Sequence, residues 1–347
     1  MRRIAPWVIG VPLLFAAKVA SAEVTSDVDL HLYGYLRGSV AWDSARLDNA
    51  TFPRWVQNRP ADRELALYAN DTRLGVDLAG PGSTSVATEA KLELDFYGAS
   101  GSLVSAAPRL RQGWAKVTWI DEDVSLLGGQ AWDLVGGGNP RTFSYGALYA
   151  SGNLGARRPQ LTLRKGWQLG DGAHFDLSAA ATQLTPNGVE GSGYPVGQGR
   201  AELQLRAWNR TARFGLAGHY GKTLGSSEAG LQPPSKAYTV DTWSTAVDAL
   251  VPLGPCFSLD LEGWVGQQLG DFQGAIAQNS VDTTRPGEGL RALGGYASVR
   301  WDPKELTWLS ATLGAGIDKP EGKRLRQATP EQPGSPSIVA EPGRTKN

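Results

Sequence analysis

The chain has 347 residues with 34 basic and 34 acidic side chains, one cysteine, three histidines, 44 glycines and 12 tryptophans. A balance near zero provides no bulk attraction for nucleic acid. The lone Cys256 cannot close an intramolecular disulfide. With no CxxC pair, and with His31, His174 and His219 far apart in sequence, no metal centre or other cofactor is expected.

The N-terminus reads as a secretory signal. Arg2 and Arg3 precede an apolar run from Ile4 to Ala17, and Ala20-Ser21-Ala22 supplies the small residues a signal peptidase reads, which places cleavage before Glu23. Lys18 ends the run short of the ~20 residues a membrane helix needs. Without Arg2, Arg3 and Lys18 the exported chain keeps 31 basic residues against 34 acidic ones. No later run reaches the length of a membrane helix.

From Val28 onward the pattern has period two. Val28, Leu30, Leu32, Leu36, Val40 and Trp42 share one parity, against Asp29, His31, Tyr33, Tyr35, Arg37 and Ser39 on the other. Ser85 to Tyr97 alternates most cleanly, with Val86, Thr88, Ala90, Leu92, Leu94 and Phe96 opposite Ala87, Glu89, Lys91, Glu93, Asp95 and Tyr97. Pro108 to Ile120 breaks the rule, because Arg109 and Arg111 share parity with Ala115, Val117 and Trp119. A bulge or register change near Gly113 resolves that conflict, and the facing of this strand stays open. The division returns in Arg200 to Ala207, in Phe257 to Val265 and in Leu309 to Ile317.

The connections sort by length. Short ones fall near Gly80–Ser83, Asp121–Asp123, Gly170–Ala173, Trp208–Thr211, Pro252–Pro255 and Asp302–Glu305. Long ones fall near Ser44–Asp62, Gly98–Ala107, Asp133–Arg157, Thr185–Gly199, Lys222–Ala237 and Gln267–Glu288. Strict alternation of the two kinds is the signature of an outer-membrane barrel, with short periplasmic turns and long outer loops. Trp119, Trp167, Trp208 and Trp301 lie beside short turns and Trp42 at the outer end of the first strand, as in an aromatic girdle. Trp114, Trp132, Trp243 and Trp264 are equally compatible with core positions.

The predicted fold is therefore all-β, a transmembrane antiparallel up-and-down β-barrel. It comprises the signal at 1–22, the barrel at 23–317 and an outer loop and C-terminal segment at 318–347, where Pro320, Pro330, Pro333, Pro336 and Pro342 interrupt any strand. About thirteen strands are counted. Single-chain bacterial barrels have an even number, so the expectation is a C-terminally incomplete barrel, lacking about three strands of sixteen.

Several short runs resemble the DcaP-like trimeric porins of Gram-negative outer membranes. They are Asp71-Thr72-Arg73-Leu74-Gly75, Leu94-Asp95-Phe96-Tyr97-Gly98, Leu110-Arg111-Gln112-Gly113-Trp114, Gly129-Gln130-Ala131-Trp132, Arg158-Pro159-Gln160 and Gly316-Ile317-Asp318, with Gly343-Arg344-Thr345-Lys346-Asn347 similar to the lead-in to a following strand. The resemblance implies a water-filled channel in the outer membrane, a homotrimer when full length, and a constriction loop folded inward. Asp133 to Arg157 is the candidate for that loop, with Gly136, Gly137 and Gly138 supplying flexibility and Phe143, Tyr145, Leu148 and Tyr149 supplying contact with the wall. Sequence alone also allows an ordinary exposed loop.

Parity assigns the basic pore-lining candidates Arg37, Arg73, Arg158, Arg164, Arg200 and Arg206, with Arg109 and Arg111 nearby, and the acidic candidates Glu89, Glu93, Asp95, Asp260 and Glu262. Opposed charges across a narrow pore bias which ions pass. The predicted partners are outer-membrane lipid and small anionic solutes such as dicarboxylates. Two rival classes remain open: a structural or adhesin-type barrel without an open pore, and a barrel enzyme. The second lacks support, because His31 and His219 have no serine nucleophile in a GxSxG-type motif.

Overall fold

The computed structural model describes residues 28–54, 56, 63–98, 106–140, 142, 148–184, 193–226, 237–279, 289–305 and 309–321. The signal at 1–22, Phe143, Tyr145 and the last 26 residues lie outside that set.

The first two membrane-length segments are each broken once. The chain enters as β1 (Asp29–Tyr35), kinks through Leu36, Arg37 and Gly38, and continues as β2 (Ser39–Asp43). It returns as β3 (Glu64–Tyr68) and β4 (Arg73–Ala79). Among the described residues β2 pairs with β3 alone and β1 with β4 alone. At the break side chains replace the ladder: Arg37 N–H donates to Thr72 Oγ1 (3.1 Å), Ser39 Oγ to Asp71 Oδ2 (3.4 Å), Tyr97 Oη to Asp71 Oδ1 (2.6 Å) and Asn70 Nδ2 to the Phe96 carbonyl (2.9 Å). Asn70, Asp71 and Thr72 are buried, as polar residues that substitute for backbone partners must be. Fifteen strands thus make up the thirteen spans predicted.

The remaining strands run in sequence: β5 (Val86–Asp95), β6 (Arg109–Trp119), β7 (Val124–Trp132), β8 (Arg157–Gln168), β9 (Ala173–Thr182), β10 (Val196–Ala207), β11 (Arg210–Ser226), β12 (Ala237–Pro252), β13 (Phe257–Gln267), β14 (Arg291–Trp301) and β15 (Ala311–Pro320). Each pairs antiparallel with its neighbours in chain order, giving one 13-stranded sheet from β1 and β4 through β15. Its two edges, β1 and β15, have one strand partner each among the described residues. A 3-10 turn, Gly270–Phe272, follows β13.

Short connections sit where the sequence places them. Trp208 and Asn209 close β10 onto β11 with positive φ of 49° and 59°, the two-residue hairpin geometry that matches strand twist. Some boundaries differ: β15 begins at Ala311, two residues after the predicted Leu309, β10 begins at Val196 within the predicted Thr185–Gly199 connection, and β11 runs to Ser226 within the predicted Lys222–Ala237 connection.

The two faces carry opposite chemistry. Leu32, Leu163, Leu216, Val247 and Leu313 stand exposed on the outward rows. The inward rows hold buried Glu93, Arg111, Arg158, Gln198, His219 and Glu262. A water-soluble sandwich has the reverse arrangement, whereas a barrel wall in lipid needs this one. Trp42, Trp119, Trp167 and Trp208 are exposed, but Trp264 is 5% exposed and points inward.

Candidate functional site: the inner face

Of the eleven charged residues assigned by parity, the ten that lie in strands fall on inward rows, and Arg37 lies in the kink between β1 and β2; Arg109 and Arg111, whose facing the sequence leaves open, also face inward. The parity conflict in β6 is resolved by a bulge. Glu93 pairs with Gln112 while Leu94 pairs with Leu110, so Arg111 is the extra residue. Arg109 and Arg111 precede the shift and face inward with Gln112. Beyond it Gly113, Ala115, Val117 and Trp119 face out. Gln130 Nε2 covers the disrupted strand by donating to the carbonyls of Leu110 (2.7 Å) and Arg111 (3.2 Å).

Around the bulge the charges form a ladder. Arg111 Nε reaches Glu93 Oε1 at 2.6 Å and its Nη1 reaches Asp95 Oδ2 at 3.0 Å. Arg109 forks onto both Asp95 oxygens (2.9 and 2.7 Å). Arg73 stands 4.0 Å from Glu93, whose Oε2 accepts from Tyr33 Oη at 3.0 Å. Asp95 is fully buried, so its charge depends on this bidentate and shared pairing.

A second ladder lies on β10 to β14. Arg200 bridges Glu202 (2.7 Å) and both oxygens of Asp248 (2.7 and 2.8 Å). Asp260 accepts from Tyr296 Oη at 3.0 Å. Toward the short-turn end, Arg164 pairs with Asp123 (3.0 Å) and with Asp176, Lys116 with Glu89 (2.7 Å), and Arg206 with Asn209 (2.9 Å). Arg37 stands 3.4 Å from Asp71 at the kink.

The third long connection, between β7 and β8, is folded inward. A Cβ on Gly137 would sit 2.2 Å from the Asp248 carboxylate, and one on Gly138 1.9 Å from Tyr296 Oη. The glycines predicted for flexibility instead serve close approach to β12 and β14. Gly152 (φ +113°) lies against the Gly295 carbonyl, and Ser151 O against Gly316 of β15. Leu154 N–H donates to Glu262 Oε1 (2.7 Å) and Trp264 Nε1 to the Gly152 carbonyl (2.8 Å). At its base, Asp133 takes Arg158 (2.8 Å) and Gln198 Nε2 (2.7 Å), and the Leu134 N–H donates to Gln198 Oε1 (2.7 Å). Arg158 is 3% exposed, and two more of its N–H groups go to the Leu184 and Asp271 carbonyls. Arg158 and Glu262, expected on the pore wall, therefore hold the loop rather than meet open water.

Sequence reasoning gave no role to Phe272, Leu154, Leu184, Leu269 and Leu290. With Val135, Val196 and Trp264 they form an apolar cluster on the inner side. Phe272 is sandwiched between His219 (4.0 Å) and Arg158 (4.2 Å). His219 is fixed by Ser244 Oγ (2.6 Å) and Thr242 Oγ1 (2.9 Å). Tyr149 is buried and stacks on Phe52 of the first long connection, centroids 6.2 Å apart.

No family model matches the chain, and no curated protein sequence matches it. Among solved structures, the outer-membrane channel DcaP of Acinetobacter baumannii superposes with a TM-score of 0.64 at 19% identity, over 86% of this chain and 80% of that one. Outer-membrane-expressed OmpT of Vibrio cholerae superposes with a TM-score of 0.48 at 10% identity, over 84% of this chain and 76% of that one. The fold is that of the DcaP-like outer-membrane channels, as the short sequence motifs implied.

Proposed function

We propose that the chain forms the wall of a water-filled outer-membrane channel for passive diffusion of small hydrophilic solutes, with a preference for anionic, dicarboxylate-like ones. The observation that carries this reading is the inversion of the two faces: apolar rows outward, ion-pair ladders inward, and a glycine-bearing connection laid across the interior. Facing charges around a narrowed path give a transverse field that sorts ions. Arg37, Arg73, Arg109, Arg111, Arg164, Arg200 and Arg206 supply its positive side, and Glu89, Glu93, Asp95 and Asp260 its negative side. Export through residues 1–22 and assembly as a homotrimer belong to the same reading.

Reversal potentials of the protein in planar bilayers under a salt gradient test it. Anion preference is expected, with Arg200→Glu shifting the potential toward cations. Cation selectivity of the unaltered chain overturns the solute preference. The interior apolar cluster around Phe272 favours a second reading, a structural barrel with a filled interior. Liposome swelling in small sugars separates the two, because a filled barrel gives none. Among the described residues His219 bonds two hydroxyls and His31 pairs with an exposed Asp77 at 4.0 Å. His174 Nε2 lies 3.1 Å from Asp176 Oδ1 and 3.4 Å from Asp123 Oδ2, beside Arg164 in the ion-pair group at the short-turn end. None of the three arrangements orients a base toward an activated nucleophile, so the reading is a conduit and not an enzyme.

A further inference from the structure

The connection that leaves β13 is folded inward as well. Residues 268–279 bury Leu269, Phe272 and Ala275 completely, and they are tied to the third long connection and its base. Ala150 N–H donates to the Gln273 carbonyl (3.0 Å), Gly155 N–H to the Phe272 carbonyl (2.9 Å) and Arg158 Nη2 to the Asp271 carbonyl (2.8 Å). The two inward connections therefore pack as one body.

This strap is wound against its chirality. Gln273 (φ 65°), Ala275 (φ 55°), Ile276 (φ 54°) and Ala277 (φ 50°) all lie in the left-handed region, where the side chain crowds the following carbonyl and L-residues occur singly rather than in succession. Three of them are consecutive. Nothing local favours such a turn, because none of the four is glycine, asparagine or aspartate. Strain of this kind persists only where the surroundings impose it.

What imposes it comes from two strands away. Asp318, on the inward row of β15, accepts the Ile276 N–H through Oδ2 at 2.9 Å, and the Ala275 N–H also interacts with this carboxylate. Its Oδ1 is buried with no hydrogen-bond partner among the described residues. The strap thus reaches past β14, and the carboxylate that stops it there gives up water for backbone amides. We infer that residues 268–279 are a strained strap latched inward by Asp318, and that the strap and the third connection swing clear together when the latch opens. The consequence for flow, a wider path, rests on the channel reading; the motion itself does not.

The test is amide hydrogen exchange of the full chain in detergent, read by mass spectrometry over residues 268–279 and 148–155. Asp318→Ala removes the acceptor and should speed exchange in both segments by about tenfold or more. Gln273→Gly/Ala277→Gly relieves the left-handed strain and should slow exchange by about threefold or more. Added to Asp318→Ala, it should bring exchange part of the way back. Opposite signs separate a strained strap from a plain packing contact, where every substitution loosens. Strands β8 to β12 should keep their protection in each variant, and if Asp318→Ala does not fold, the sign of the glycine variant decides. In planar bilayers Asp318→Ala should also conduct more; a chain that conducts nothing defeats the channel reading and leaves the exchange result standing. The strap is overturned if Asp318→Ala leaves exchange unchanged, if the glycine variant speeds it, or if residues 268–279 loosen while 148–155 stay protected.

Discussion

Arg111→Met removes the centre of the buried charge ladder at the β6 bulge. Arg111 is 5% exposed and serves two carboxylates, Glu93 (5% exposed) and Asp95 (0%). At an effective dielectric of about 20, charges roughly 4 Å apart attract by about 4 kcal/mol, and removing one member of a buried pair typically costs about 3–5 kcal/mol. The loss here falls at the low end, because Asp95 keeps the Arg109 fork and Glu93 keeps the Tyr33 hydroxyl and the nearby Arg73. The expected destabilisation is about 3 kcal/mol. It is measured by urea unfolding in detergent micelles, followed by tryptophan emission. Arg111→Met/Glu93→Leu should recover a large part of the loss, because the stranded carboxylate goes with its partner. Arg206→Gln, an exposed residue at the short-turn end, should leave the midpoint unchanged. If Arg111→Met unfolds with the unaltered midpoint, or if the double variant is simply additive, the ladder does not hold the bulge and the reasoning is wrong.

Three further outcomes follow from the same geometry. Leu163→Arg, on an outward row of β8 at 52% exposure, should cost about 2–4 kcal/mol in a bilayer, whereas Thr162→Arg on the adjacent inward row should cost far less; equal costs in micelle-to-bilayer folding assays would contradict the facing. Trp264→Phe deletes the bond to the Gly152 carbonyl and should cost about 1 kcal/mol, with protease cleavage appearing between residues 148 and 155 while the barrel stays resistant. Gly316→Val places a side chain where the Ser151 carbonyl lies, 1.9 Å from the Cβ position, so the third connection must leave β15; larger single-channel conductance is expected, and an unchanged conductance would mean that this contact does not narrow the path.

The strand rows were legible because each span meets two solvents. A lipid-facing Leu163 and an inward Arg164 cannot exchange places without stranding a charge in hydrocarbon, so period two is written in the unbulged spans, β5 most cleanly. The β6 bulge was legible as a contradiction: Arg109 and Arg111 cannot share a row with Val117 and Trp119 unless a residue is inserted, and the structure inserts Arg111. The break between β1 and β2 was not visible, because Val28 to Trp42 keeps one parity straight through it, and only the burial of Asn70, Asp71 and Thr72 shows side chains replacing backbone partners there.

The interior of the loops was not legible, for a physical reason. Leu154, Phe272 and Leu290 come from two long connections, where no period constrains them, and their burial depends on contacts such as Leu154 N–H to Glu262, 108 residues apart. The same contact shows what composition could not separate. Glu262 sits on a water-facing row by parity, yet its Oε1 is taken by a loop amide, so a charged residue on that row serves either as a lumen charge or as an anchor for the constriction. Which role it has depends on whether a connection covers it. Asp260, two residues away on the same row, instead accepts from Tyr296. Selectivity changes on mutation should therefore concentrate at Arg200 and Asp260, while changes at Arg158 and Glu262 should first alter the position of the loop and only through it the ions that pass.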